Sequence, residues 1–502
     1  MWGKDSRDSI WSNLEHPWDV IVIGGGITGA GIFNYAARAG LRVLLAEAND
    51  YAFGGSGRTG KWVGGPRRGR TAVDAALAQE CERLLRDAPM LARPEACFRA
   101  VYQGEKGAFW RRMPVSPRDL TTWALQLRDS GLRGARIYEG AAVDDARLVL
   151  RLIREGVTYG GVAINYARAE QLLISARGQV CGAVLRDRAQ GEDGRTAEVQ
   201  ARVVVNAAGP WCDELRAKQG GKPMLREKAG SHLFLPMDRL PLAAGIALLH
   251  PRDGCELRFI PWEGVAVVGT TELDYYLPED VAEPAVSAQE VEYLLEGLAH
   301  AFPGLELGIR DVIACHAGVT ALPEGGAPEG GGLVLEENGL VTVTGGLLTT
   351  FRVLAAQALN RIRERLPGLR PFEPGQTVLE RPGEMPYSGA LDPAGWVYLA
   401  GRYGRELPAL LAATTPEELT PIYPHLPILW AELRWAARDG AVVHLDDLLL
   451  RRLRLGLQVR RGGVTEMEDL RPFIQPELGW DNIRWQWEAA RYARIRELYY
   501  AV

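Results

Sequence analysis

Gly24-x-Gly26-x-x-Gly29 is the spacing that most directly implies chemistry. Gly24 permits a tight turn, Gly26 lets the backbone approach a pyrophosphate, and Gly29 lets a helix pack close to a strand. The helix start then offers N–H groups and partial positive charge to phosphate. The flanking residues agree. Asp19-Val20-Ile21-Val22-Ile23 reads as a buried β-branched strand, and Ile27 to Ala39 as a helix closed by Gly40. A second strand, Leu41 to Ala46, ends in Glu47, 23 residues after Gly24. A carboxylate there accepts a ribose hydroxyl and disfavours a 2′-phosphate.

Two further stretches join this motif. Val203-Val204-Val205-Asn206-Ala207-Ala208-Gly209-Pro210-Trp211 is a strand ending in small residues, where a cofactor can pass close to the backbone. Alone it is equally an ordinary buried strand and turn. Paired with the first motif it points to FAD rather than NAD. Gly345-Gly346-Leu347-Leu348-Thr349-Thr350-Phe351-Arg352 is a strand-to-helix junction. Its helix start could face a flavin pyrimidine and stabilise negative charge on reduction, or be only a capped helix. His232 is a candidate general base, since a neutral imidazole can take an alcohol proton; the alternative is a hydrogen-bonded structural histidine. Histidines 16, 250, 300, 425 and 444 show no ligand spacing, so no metal is expected. Six scattered cysteines without C-x-x-C spacing read as buried thiols in a reducing cytoplasm.

The elements that must position these residues follow from composition and pattern. The chain has 502 residues, 47% hydrophobic and 24% charged, which is globular composition and sufficient for two to four structural units. A net charge of −5 argues against a globally basic nucleic-acid binder and leaves a local basic patch open. The first 17 residues contain no apolar run and are not a secretory signal. No uninterrupted apolar stretch is long enough to span a bilayer. Helices are expected over Ala72–Leu91, Val143–Gly156 (capped near Asp144 or Asp145), Ala288–Phe302 and Thr349–Leu366. Strands are expected through 157–208 and 225–275 and at Leu340–Val343, with a surface loop at Pro323–Gly332. The Pro/Gly-rich segment Pro367–Pro386 marks a domain boundary, giving an extension over 1–17, a split α/β unit over 18–370 and a helical unit over 386–502.

The chain resembles the FAD-dependent glycerol-3-phosphate dehydrogenase family, within the D-amino-acid-oxidase-like superfamily. The resemblance lies in IGGGITGAGI (23–32), AVDDARLVL (142–150), NAAGPW (206–211), GSHLFLP (230–236), FIPWEG (259–264), VGTTELDY (268–275), GGLLTTFR (345–352) and the tail stretch 427–456. It implies a Rossmann-like FAD-binding domain carrying an inserted mixed β-sheet substrate domain, with an all-helical C-terminal domain. It also implies oxidation of a secondary alcohol by hydride transfer to flavin N5, with electrons passing to quinone or oxygen. Cofactor contacts are then expected from Gly24, Gly26, Ile27, Thr28, Gly29, Glu47, Ala48, Ser56, Thr59, Lys61, Ala208, Gly209, Trp211, Gly346, Leu348, Thr349 and Thr350. A homodimer and contact with the inner face of the cell membrane are further expectations.

The substrate pocket departs from the family pattern. The family's KLIHGGLRY becomes Lys61-Trp62-Val63-Gly64-Gly65-Pro66-Arg67-Arg68, without the histidine. Arg67 matches the family arginine and is carried over as catalytic and substrate-binding. Thr320 stands for an arginine and Leu347 for a lysine. A phosphate dianion needs cationic donors, each worth roughly 1.5–3 kcal/mol. Arg67, Arg68 and Arg70 could supply a replacement cluster or be a solvated loop. His316 is either a replacement polar group or a core histidine. A less polar substrate, an alcohol or amine, and an FAD-bound protein without turnover remain as alternatives. Two Leu/Trp/Arg segments, Phe109 through Leu127 and Leu448 to Arg461, could lie on a membrane; the second also fits a packed amphipathic helix.

Overall fold

The computed structural model describes residues 2–3, 6–66, 72–105, 113–191, 193–275, 283–324, 332–366, 369–381 and 391–502. Trp18–Ile23 runs parallel to Val43–Ala46 on one side and to Thr196–Asn206 on the other. Val162–Ile164 and Leu340–Gly345 extend the parallel set outward, and Gly332–Glu337 closes one edge antiparallel. These strands are apolar on both faces because both faces are covered. Val20, Val22, Val205 and Val343 meet the helices Ile27–Arg38, Asp145–Thr158 and Phe351–Ile362. Ile21, Ile23, Leu44 and Val204 face the other way, onto Trp11 and Leu14. Ile23, Ala46, Asn206 and Thr342 share one register level, so the segments that follow them converge at one edge.

The helix ends have local causes. Asp144 caps Asp145–Thr158 by accepting the Arg147 N–H at 3.2 Å. Gly40, at φ +79°, closes the turn after Ile27–Arg38. The helix expected from Thr349 begins at Phe351 and finishes in the 3₁₀ turn Arg363–Arg365.

A second, ten-stranded mixed sheet forms from the strands between and around these elements. Its Leu225–Pro236 strand pairs antiparallel with Val265–Gly269 on one side and Ala314–Pro323 on the other, setting His232 opposite His316. One face buries Leu233, Leu235 and Phe259 against the helix Ala288–Ala301, which carries Leu294 and Leu298. The other face buries Phe234, Trp262, Val265 and Val267 against helices beyond residue 426. From residue 391 onward every named element is helical. The architecture is therefore the expected α/β unit with an inserted mixed sheet and a helical C-terminal part.

The segment Leu448–Arg461 is neither a membrane-surface helix nor a single amphipathic one. It is a π-helical turn, Asp447–Arg452, then the short helix Leu455–Gln458 and a 3₁₀ turn from Arg460. Leu448, Leu449, Leu450 and Leu453 are core residues, and Arg451, Arg452 and Arg454 are buried in ion pairs. A membrane face needs those leucines exposed, and they are not. Of the other proposed segment, Phe109–Arg112 lie outside the described residues, as do 325–331 of the expected loop. No helix among the described residues is long and apolar enough to cross a membrane. Four of the six cysteines are buried, Cys181 is half-buried and Cys255 is exposed.

Candidate functional site

A cavity of about 600 Å³ opens where the parallel strands end. All three glycine-bearing motifs contribute to it: Gly24, Gly26, Ile27 and Thr28; Ala208, Gly209 and Trp211; Gly346, Leu347 and Leu348. Gly24 adopts φ +113°, and a Cβ there would lie 2.3 Å from the Ala207 carbonyl oxygen. A Cβ on Gly29 would lie 1.9 Å from the Gly24 carbonyl oxygen. That contact sets how closely helix and strand approach, and it keeps Gly29 off the cavity wall. Gly26 differs: its added Cβ would meet only Ser56, at 3.0 Å from Oγ. Gly26 faces the cavity, and Ile27 just beyond it donates its N–H to Ser56 Oγ at 2.9 Å.

Glu47 and Ala48 line the same cavity. The Glu47 carboxylate accepts N–H bonds from Gly25 and Asn49. Burial raises this carboxyl above its ordinary range, against the pull of those N–H groups. The lone pairs these N–H groups do not occupy remain acceptors for a diol. A helix start facing the cavity, a glycine whose Cβ position meets no backbone atom, a carboxylate at the second strand's end and a cavity of cofactor size all fit FAD.

Other expected contacts fall in different places. Ser56, Thr59 and Thr320 line the cavity, and Leu347 lines it with 53% of its surface exposed. Thr349 and Thr350 are buried, and Thr350 Oγ1 accepts the Leu347 N–H at 2.8 Å, so they shape the turn from behind. Lys61 is likewise not on the cavity wall. Its ammonium is fully buried, bonded to the Gly57 carbonyl (3.0 Å) and to both Asp145 oxygens (2.7 and 2.8 Å). Burial, and then the Arg454 charge, pull it down to about 7. Burial pushes the Asp145 carboxyl up, but the Lys61 and Arg454 cations outweigh it and hold the group below its ordinary range.

His232 sits one layer behind the wall. A Cβ on Gly60 would lie 3.0 Å from His232 Nε2, and one on Gly269 2.2 Å from its ring. Its Nδ1 is buried without a hydrogen-bond partner. Burial, and then Lys61, lower the imidazole to about 3, so it is neutral at pH 7. His316 meets it edge-on, with ring centroids 5.2 Å apart at 86°. Both His316 nitrogens are buried without partners, and burial holds it well below its ordinary value. It lines a second, very small cavity rather than the main one. Arg67, Arg68 and Arg70 lie outside the described residues. Sequence reasoning missed Arg168, Arg188 and Glu214, which line the main cavity. Arg168 pairs with Glu214 at 2.7 Å. The first two come from the hairpin Ala167–Ile174/Val180–Asp187 and the turn after it, and no local spacing marks them.

Comparison with known proteins agrees with this geometry. The family described as FAD-dependent oxidoreductase matches residues 19–351, and the C-terminal domain of α-glycerophosphate oxidase matches 354–484. Glycerol-3-phosphate dehydrogenase 2 of Mycobacterium bovis is 31% identical, over 98% of this chain and 91% of its own. The aerobic glycerol-3-phosphate dehydrogenase of Bacillus subtilis is 30% identical over 76% of this chain and 73% of its own. The X-ray structure of the glycerol-3-phosphate dehydrogenase from Bacillus halodurans complexed with FAD superposes with a TM-score of 0.79. That pair is 26% identical and covers 99% of this chain and 97% of the other. Fold and site define an FAD-dependent oxidoreductase. Within that class, the chain belongs to the glycerol-3-phosphate dehydrogenase family.

Proposed function

We propose that the protein oxidises the secondary hydroxyl of glycerol 3-phosphate. The observation that carries this reading is the single cavity built from all three glycine motifs, in a chain aligned almost end to end with relatives of that name. Bound FAD supplies the hydride acceptor. This chain's own residues bind, orient and manage the proton. The Gly26–Thr28 helix start takes the pyrophosphate, Glu47 the ribose diol, and Gly346–Leu348 the flavin end. His232, by its Nε2, is the proton acceptor in this reading: it is unprotonated at pH 7, although burial also makes it a weaker base than a free imidazole. Arg67 and Arg68 hold the phosphate, and electrons leave to a quinone or to oxygen.

A second reading, a less polar alcohol, is favoured by uncharged Thr320 and Leu347 on the cavity wall. Dye-linked turnover of glycerol 3-phosphate against glycerol separates the two. A kcat/KM at least tenfold higher for the phosphorylated alcohol is expected; preference for glycerol would overturn the first reading. The same assay with a quinone analogue or oxygen as oxidant assigns the acceptor. Flotation with anionic vesicles and the mass in solution test membrane contact and dimerisation.

A further inference from the structure

The helical C-terminal region reaches the turn beneath the cofactor cavity. Gly54, Gly55 and Ser56 line that cavity, and Gly55–Gly57 form a 3₁₀ turn. Ser56 Oγ accepts the Ile27 N–H at the start of the phosphate-facing helix. The far end of the turn is held from below. The Gly57 carbonyl accepts from Lys61 Nζ and, at 2.9 Å, from Arg454 Nη2. Arg454 Nη2 also bonds Asp145, and its Nη1 donates to the Leu450 carbonyl at 2.9 Å. Asp145 in turn accepts the Thr59 N–H (2.9 Å) and Thr59 Oγ1–H (2.8 Å), and Thr59 lines the cavity. One fully buried guanidinium thus ties both sides of the Gly57–Lys61 segment to the C-terminal region.

The Arg454 backbone gives an independent sign. It adopts φ +66°, ψ 6°, directly after the π-helical turn Asp447–Arg452 and Leu453. Left-handed backbone favours glycine, and a bulky residue there is held by its surroundings. Glycine would relieve the backbone and lose every contact just described.

We propose that Arg454 is a positioning residue for the cofactor site: through Gly57 and Asp145 it fixes the Gly54–Lys61 turn, so the C-terminal helical region sets the affinity for FAD. The inference rests on the assignment of this cavity to FAD. Arg454→Lys keeps a charge opposite Asp145 but has no planar fork to reach Gly57 and Leu450 together. Apoprotein titrated with FAD, read by flavin fluorescence, should show a Kd at least tenfold weaker for this variant. Arg154→Lys is the control. Arg154 is also buried and also bridges to the C-terminal region, at Asp439, but bonds nothing in the turn. Its Kd should stay within twofold of wild type. Equal weakening in both variants, or none in Arg454→Lys, overturns the proposal. A measurement on the unaltered chain decides the matter if the variant does not fold. FAD binding should slow amide exchange over 447–458 together with 54–61, and unchanged exchange over 447–458 overturns the proposal. Failure of the wild-type chain to take up FAD would instead sink the assignment of the cavity.

Discussion

At the scale of single residues, the proposed chemistry turns on His232 and Leu347. His232 was legible from its GSH context, but its environment was not. Its lowered value arises from burial and from Lys61, which comes from a distant segment. His232→Ala should slow anaerobic flavin reduction about 10²–10⁴-fold, the usual contribution of a positioned base. Because the imidazole is neutral down to about pH 3, the wild-type reductive rate should carry no His232 limb between pH 5 and 8. An unchanged rate in the alanine variant would make the residue structural. Leu347 offers the complementary test. It lines the cavity and is half exposed, so a lysine there can extend without burial. A charge-assisted hydrogen bond is worth about 1.5–3 kcal/mol, so Leu347→Lys should lower KM for glycerol 3-phosphate about tenfold or more. A raised KM would contradict a phosphate lying near that wall.

At the scale of elements, the first strand–turn–helix was readable almost to the residue, because its glycines serve neighbours only a few positions away. Gly24 and Gly29 approach backbone atoms, whereas a Cβ on Gly26 would meet only the Ser56 side chain, at 3.0 Å, and its φ of −80° is one any residue adopts. Gly26→Arg should therefore fold, with far-UV circular dichroism matching the wild-type apoprotein, yet purify colourless because its side chain fills the pyrophosphate position. A yellow variant with a normal flavin spectrum would sink the assignment of that glycine. The segment after Leu448 was not readable in the same way. Leu and Arg at helical spacing fit a membrane-facing helix as well as a packed one, the reading the pattern favours. The choice is made by Asp50, Asp144 and Asp145, some three to four hundred residues earlier, which pair with Arg451, Arg452 and Arg454. Arg168 and Arg188 escaped for the same reason, since only the folded hairpin brings them to the cavity.

At the scale of the whole molecule, these buried ion pairs join Asp50, which follows the second strand, and the start of the helix Asp145–Thr158 to the C-terminal helices. Asp50 is pushed up by burial, but Arg452 and Arg451 more than offset it and hold the carboxyl below its ordinary range; Asp145 behaves alike. For a carboxyl lowered on folding, the unfolded chain binds the proton more readily. The stabilisation is present above the unfolded value of about 3.9 and disappears as pH falls through the folded value. The urea midpoint should thus fall steeply below about pH 4, and Asp50→Asn should flatten part of that limb while lowering the midpoint at pH 7. An acid limb identical in both proteins would show that Asp50 contributes nothing to it. The most direct test of the catalytic assignment is anaerobic mixing of the FAD-loaded protein with glycerol 3-phosphate while flavin absorbance is followed. The account predicts rapid bleaching at micromolar to low millimolar substrate. A flavin that stays oxidised with glycerol 3-phosphate, yet is bleached by dithionite, would contradict it.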